Sequence, residues 1–480
     1  MIFHSPAYLL FLAGVFVLSA CAGRRRWAVL LLASAYFYVS LGSPHLTVAL
    51  ALVTGMSYFA GIGLTRCATE TGRKRLFVLG VVANLLVLVF LKYLPFLSNA
   101  LNALLGFVSP AVSVPEPGIL ASIGVSYYVF QAVSYLVDIY LEVQEPERHP
   151  GYFALYLAFF PKLLQGPIER AEALLPQLRI PYTFDYDNVR AGLLMFSIGL
   201  FKKVVVADRL AFVVDAVYGD VHAHAGIPTA LATLFYAFQL YCDFSGYTDM
   251  ALGSARVFNI RLTPNFNGPY LATSVADFWR RWHITFSRFI LDYIFRPLQM
   301  RYRDHREYGT ALALLLTFLV SGLWHGAGWG FILWGLLHGT YLAASVFYRP
   351  YRKRIYDRLG WEDGAGRRIW QGTATFCLVC FAWIFFRANT VSDAFYAVTH
   401  LWDIRGAAPF FVTMGTKLAI GTLLIALILA VDVLHGRMDL VSRLWAMPRW
   451  RRWAIYYALL LSVIYRGADV AVDRFLYFQF

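Results

Sequence analysis

Charge is scarce in this sequence. Asp, Glu, Lys and Arg make up 15% of its 480 residues, against 59% hydrophobic. At a mean hydropathy of +0.57 the polar residues are too few to enclose the apolar ones in a soluble core, so the composition implies an integral membrane protein. Cysteine is scarce too. Cys21, Cys67, Cys242, Cys377 and Cys380 lie mostly in or beside apolar segments and form neither a disulfide framework nor a zinc-finger spacing. The C-x-x-C of Cys377 and Cys380 sits inside F-C-L-V-C-F-A-W-I-F-F and reads as packing rather than redox chemistry. No metal-ligand set, low-complexity tract, internal repeat or soluble domain is evident, which leaves one membrane domain over 1–480. Acidic residues number 28 against 42 Lys and Arg, a formal charge of +14. The basic residues cluster in short runs between apolar segments, as in positive-inside loops, rather than in a nucleic-acid-binding stripe.

Apolar stretches of the length a helix needs to cross a bilayer occur near 6–22, 27–42, 46–64, 76–97 and 120–141. Leu18 to Cys21, L-S-A-C, resembles a lipoprotein cleavage box, but no Lys or Arg precedes it and Arg24 to Arg26 follow at once, so a retained first helix is expected. Arg24–Arg26 and the run from Arg66 to Arg75 are separated by two spans and so share a side, the cytoplasm by the positive-inside rule. The loop from Ser98 to Gly118 lacks Lys and Arg, as an outer loop should. From Gly151 to Asn188 short apolar pieces are broken by Pro161, Pro167, Pro176 and Pro181, which suits a re-entrant or interfacial segment. Further spans fall at 189–207, 227–252, 369–388, 418–434 and 453–467, with an apolar hairpin from Thr310 to Tyr348. The expected architecture is therefore all-α and polytopic, with about eleven transmembrane helices (ten crossings plus a hairpin, within about two). Both termini fall outside. Lys202, Lys203 and Arg387 break this parity: either 151–188 hides a crossing, or they serve a cavity.

The hairpin carries S-G-L-W-H-G-A-G-W-G, Ser321 to Gly330, with His325 between Trp324 and Trp329 and among four glycines. An ionisable side chain at membrane depth is a functional candidate by default. About 15 residues, some 22 Å of helix, separate Thr310 from His325, which places His325 within the membrane thickness. Upstream, S-V-A-D-F-W-R-R-W-H-I-T-F-S-R-F-I-L-D-Y-I-F-R, if one helix, puts Arg281, Arg288 and Asp292 on one face and Trp279, His283, Phe286, Ile290 and Ile294 on the other. That is a basic interfacial helix with His283 turned inward. Asp243 and Asp249, near the end of the 227–252 span, serve either as structural partners or in a polar channel. His338 lies about 220° from His325 round an unbroken helix and so faces elsewhere, a structural residue.

W-H-G-A-G-W-G-F-I-L-W-G-L-L-H-G from Trp324, with D-F-W-R-R-W-H-I-T-F-S, resembles the membrane-bound O-acyltransferases, specifically their bacterial alginate O-acetyltransferase branch. The resemblance extends over nearly the whole chain, through G-V-S-Y-Y-V-F-Q-A-V-S-Y-L-V-D-I-Y from Gly124, F-F-P-K-L-L-Q-G-P-I-E-R from Phe159, G-L-F-K-K-V-V-V-A-D from Gly199, Y-C-D-F-S-G-Y-T-D-M from Tyr241, P-N-F-N-G-P-Y from Pro264 and the terminal F-L-Y-F-Q-F. One departure falls where the branch carries R-D-Y and then P-L-G-G: here stand Leu291, Asp292, Tyr293, then Pro297, Leu298, Gln299 and Met300.

The resemblance implies His325 as the catalytic histidine, His283 as a second functional one, and a funnel crossing the membrane where a cytoplasmic acyl donor meets an acceptor outside. Acetyl-CoA would be the donor substrate, with no cofactor held. A separate periplasmic acetyltransferase partner would complete transfer to a polysaccharide. The chemistry suits these residues. Attack of a hydroxyl on a thioester needs a base, and apolar surroundings disfavour an imidazolium, leaving an enclosed His325 ready to accept a proton. The glycines let amide N–H groups approach a developing oxyanion. Trp324 and Trp329, with Trp279 and Trp282, would wall the site against water. Arg280, Arg281, Lys202 and Lys203 would attract coenzyme A phosphates, and Asp243 would line the donor path. The expected function is acetylation of an alginate-like exopolysaccharide or other envelope glycan from the bacterial inner membrane. The alternatives are transfer of a D-alanyl or other acyl group, a His/carboxylate proton-relay transporter, or a bis-histidine haem protein.

Overall fold

A computed structural model describes residues 1–41, 44–108, 114, 124–404, 407–467 and 476, and every regular element among them is helical. The helices are α1 (Pro6–Cys21), α2 (Arg26–Val39), α3 (Pro44–Arg66), α4 (Glu70–Leu88), α5 (Leu94–Val108), α6 (Val125–Tyr140), α7 (Pro150–Ala158), α8 (Ala171–Arg179), α9 (Tyr186–Phe201), α10 (Asp208–Tyr218) and α11 (Ile227–Val257). There follow α12 (Val275–Arg281), α13 (Ile284–Ile290), α14 (Arg296–Arg301), α15 (Arg306–His325), α16 (Trp329–Arg358), α17 (Ala365–Arg387), α18 (Val391–Thr399), α19 (Ala407–His435), α20 (Leu440–Ala446) and α21 (Arg449–Gly467). Single π-helical turns join α4 to α5, α9 to α10 and α13 to α14.

The all-α, polytopic membrane architecture expected from composition is observed. Among the described residues, six segments are long and apolar enough to cross a bilayer: Leu46–Arg66, Glu70–Tyr93, Arg303–His325, Trp329–Arg358, Ala365–Arg387 and Ala407–His435. Other expected spans are shorter, as in α1 with 16 residues, or more polar, as in α11 with its two aspartates. The Pro-broken stretch forms two nine-residue helices, α7 and α8, each about 13 Å long and too short to cross. The loop expected over Ser98–Gly118 is in its first half helical, since α5 runs to Val108, while 109–113 and 115–118 lie outside the described residues, as does the terminal F-L-Y-F-Q-F apart from Leu476.

The chain packs as two compact units, whose boundaries fall inside α9 and α11 and just after Thr263. The first comprises Met1–Phe196 and Tyr247–Thr263. Its aromatic core stacks Tyr8 on Phe196, while the Tyr8 hydroxyl donates to Ser254 Oγ at 2.9 Å. Buried Arg26 donates to the carbonyls of Ile180 and Phe258, and Glu169 accepts from the Thr263 hydroxyl and amide, so short irregular segments have their polar backbone satisfied indoors.

The second unit comprises Ser197–Gly246 and Pro264–Phe480 and contains the antiparallel hairpin of α15 and α16, joined only by Gly326, Ala327 and Gly328. Its two helices approach at glycines. A Cβ on Gly322 would sit 2.4 Å from the Phe331 carbonyl oxygen, and one on Gly335 would sit 2.3 Å from that of Phe318. Backbone cannot yield cheaply to either. Replacing Gly322 or Gly335 by Ala is therefore expected to cost about 1–3 kcal/mol, read as a lowered thermal midpoint of the purified protein in detergent. Unchanged midpoints for both would show that the seam is not tight.

Candidate active site

The motif's histidine occupies a helix end. His325 is the last residue of α15, and Gly326 and Gly328, both in extended conformation, lead the chain into α16. From Arg306 the helix has 20 residues, about 30 Å, so it is longer than the Thr310 start implied, and helix length alone no longer sets His325 within the membrane thickness. Its enclosure comes from packing instead. His325 is 4% exposed, with Trp324 at 4.6 Å between ring centroids, Trp334 at 4.7 Å, Phe386 at 5.4 Å and Phe286 at 5.8 Å.

The interfacial segment differs from the single amphipathic helix expected. It breaks at Trp282 and His283 into α12 and α13, and His283 adopts a left-handed conformation (φ 44°, ψ 55°) that non-glycine residues rarely hold. Sequence periodicity could not show this break, since every residue there is an acceptable helix former. Asn265 holds it in place. The Asn265 carbonyl accepts from the Ile284 amide at 2.9 Å, and its side-chain oxygen accepts from the Thr285 amide and hydroxyl at 3.1 and 2.7 Å. Of the expected inward face, Trp279, His283, Phe286 and Ile290 are buried and Ile294 is half-buried. His283 lies against Phe244 at 4.7 Å, Phe286 at 5.0 Å and Trp324 at 5.8 Å. Phe286, stacked on Trp324 at 4.1 Å, is thus shared by the two histidines.

His338 joins the same cluster, contrary to the expectation from an unbroken helix. The break at Gly326–Gly328 resets the helical phase, and Trp334 contacts both His325 and His338. Trp279 donates through Nε1 to His338 Nδ1 at 3.2 Å, and Trp282 packs on Trp383 at 5.4 Å. Trp329, at the start of α16, is 63% exposed. Phe244, Trp334, Trp383, Phe386 and Asn265 are neighbours that the sequence does not single out, although Y-C-D-F-S, W-G-L-L-H-G, F-A-W-I-F-F and P-N-F-N carry them.

The basic candidates separate. Lys203, on the π turn before α10, is 2% exposed in its side chain and binds Asp208 and Asp243, each at 2.8 Å. Asp243 also accepts from the Leu476 amide at 2.9 Å. Arg387 pairs with Asp215 at 2.8 Å, and Lys202 lies 5.9 Å over the Tyr241 ring. The residues that broke the loop-charge parity thus have local partners and report little about sidedness. Arg280 and Arg281 both pair with Asp277, at 3.4 and 3.1 Å, with Arg280 largely exposed. Gln299 and Met300, two of the positions that depart from the family pattern, line an open cavity of about 530 Å³ with Arg303, Arg306, Glu307 and Thr310.

Two consequences are measurable. Lys203→Met strands two buried carboxylates and is expected to destabilise by about 3–5 kcal/mol, with recovery when Asp208→Asn and Asp243→Asn are added; a stable single variant would show the cluster to be dispensable. Burial pushes His283 down from 6.5 to about 3, so it favours the fold fully above pH 6.5 and its contribution is lost as pH falls toward 3, at about 1.4 kcal/mol per unit. His283→Asn, which tolerates the left-handed backbone, should flatten the fall in thermal midpoint between pH 7 and 5. An unaltered pH dependence would argue against burial of a neutral ring.

Residues 129–386, which include His283, His325 and His338, match the model of the membrane-bound O-acyltransferase family. The chain is 35% identical over 437 residues to a probable alginate O-acetylase of Azotobacter vinelandii, covering 89% of this chain and 83% of that protein. It is 32% identical over 444 residues to a peptidoglycan O-acetyltransferase of Helicobacter pylori, covering 85% and 81%. A teichoic acid D-alanyltransferase of Bacillus subtilis is 27% identical over 319 residues, covering 64% and 76%.

Proposed function

The chain belongs to the membrane-bound O-acyltransferase family, and from that premise we propose that this O-acyltransferase passes acetyl groups from cytoplasmic acetyl-CoA across the bacterial inner membrane to an exopolysaccharide or other envelope glycan. The observation that carries the reading is the enclosure of His325 and His283 around one shared ring, Phe286, at two breaks in helices. Acetyl is favoured over D-alanyl because the relatives at 32–35% identity are named as O-acetylases and an O-acetyltransferase, whereas the D-alanyltransferase stands at 27%.

In this mechanism His325 accepts the proton of a hydroxyl as its oxygen attacks the thioester carbonyl. The tetrahedral intermediate collapses with cleavage of the carbon–sulfur bond, and the thiolate takes that proton as free coenzyme A. Amides of the Gly326–Gly328 turn stabilise the oxyanion, and Trp324 and the surrounding rings exclude water that would hydrolyse the thioester. His283 is the second functional imidazole, orienting donor or acceptor. Arg280, Arg281 and Lys202 attract the donor's phosphates, while Lys203 and Asp243 are assigned to holding the polar core of their own cluster. Trp279 and Trp282 back the wall, and exposed Trp329 stands at its rim. A periplasmic acetyltransferase partner finishes delivery to the sugar. The termini face the periplasm.

The test is acetyl-CoA turnover by purified wild type and His325→Ala. Loss of about 100-fold or more is expected for a general base, and equal rates would remove His325 from the chemistry. Mass spectrometry of envelope glycans from cells with and without the protein should show one missing O-acetyl ester. A missing D-alanyl ester would instead support the second reading.

A further inference from the structure

His338 is fully buried, lies outside the proposed proton path, and makes one directed bond whose chemistry fixes its state. An indole N–H can only donate. Since Trp279 Nε1 donates to His338 Nδ1 at 3.2 Å, that nitrogen carries no proton, and the ring is neutral with its N–H at Nε2.

The bond joins two segments that matter. Trp279 is on α12, four residues before His283; His338 is on α16, one turn after Trp334. Trp279 and His338 both flank Trp334, with centroids 5.7 and 5.0 Å away, and Trp334 meets His325 nearly edge to face at 4.7 Å and 86°. Trp383 stacks on Trp334 at 5.7 Å and 16°. The acceptor nitrogen therefore ties the segment carrying His283 to the wall that sets His325. An apolar ring in place of His338 would fill similar space but release Trp279.

We propose that His338 is a positioning residue for acyl transfer: its Nδ1 holds the Trp279 indole and, through Trp334, orients the imidazole of His325. This rests on the reading of His325 as the base. It assigns to His338 a role that depends on one acceptor atom rather than on volume or charge.

The experiment compares His338→Asn, whose side-chain oxygen can take the place of Nδ1, with His338→Phe, Trp279→Phe and the double variant, in full-length protein with acetyl-CoA as the probe. His338→Phe and Trp279→Phe should each lower kcat by about 10–100-fold, the scale of a small misplacement, with KM for acetyl-CoA within about twofold because the Trp279 indole is buried whereas the neighbouring Arg280 side chain is exposed and keeps its own pairing with Asp277. His338→Asn should recover most of the loss, and the double variant should be no worse than either single one. If Asn is as impaired as Phe, if His338→Phe is fully active, or if the single losses multiply, the proposal is overturned. Should His338→Phe not fold, Trp279→Phe and the Asn variant still decide it. Undiminished turnover by His325→Ala would defeat the base assignment separately, since the His338 series tests the Trp279 bond.

Discussion

The close approach of α15 and α16 at Gly322 and Gly335 is the constraint on which the candidate site depends. With no Cβ at either position, one helix's backbone lies against the other's, and a turn of only three residues suffices to connect them. That short turn stops α15 at His325 and starts α16 so that Trp334 and His338 return to the same cluster. A wider separation would need a longer loop and would move Trp334 away from His325. Gly326 belongs to the same economy of space, since a Cβ there would meet the Phe331 ring at 2.1 Å. The glycines that read in sequence as freedom near a reacting centre act first as a packing device.

Both candidate histidines sit where a helix is interrupted. In mid-helix an imidazole would share its surroundings with the turns above and below; at an end, the backbone leaves regular pairing and the side chain can be enclosed from several directions. His283 does so at the cost of a left-handed backbone, which persists because Asn265 engages the first amides of α13. P-N-F-N-G-P-Y is thereby tied physically to D-F-W-R-R-W-H, two motifs that the sequence presents merely as neighbours. Exposed Arg280 and half-buried Arg281 pair with Asp277 on α12, two residues before the buried imidazole of His283.

Much of this was legible beforehand, and the limits have physical reasons. Long apolar runs foretold the membrane helices, because crossing length and hydropathy are local properties. The hairpin and its turn were legible because glycine clustering is local too. The burial of Trp279, His283, Phe286 and Ile290 was legible from periodicity, yet the break at His283 was not: it is imposed by Asn265, 18 residues away, and leaves no local mark. His338 was misplaced because phase was carried through a turn that resets it. Lys203 and Arg387 read as misfits because loop charge was counted without partners, and Asp208, Asp243 and Asp215 supply them. Periodicity put Phe286 on the face of His283, but its contact with His325 could not be foreseen, since that contact joins two segments distant in sequence.

The distribution of charge adds a last step. Around His325 the first neighbours are aromatic rings, whereas Lys203, a cation singled out from sequence, is buried with two carboxylates of its own. An ammonium held between two carboxylates has little field left to attract a phosphate, because its partners cancel it at short range while desolvation already opposes its charge. For the donor proposed above, the phosphates would then be drawn by exposed Arg280, which shares Asp277 with half-buried Arg281 so that the three keep net positive charge, and only the uncharged thioester end would reach the rings. Segregating charge at the rim from an apolar interior suits a reaction in which proton transfer must be local and water is a competing nucleophile.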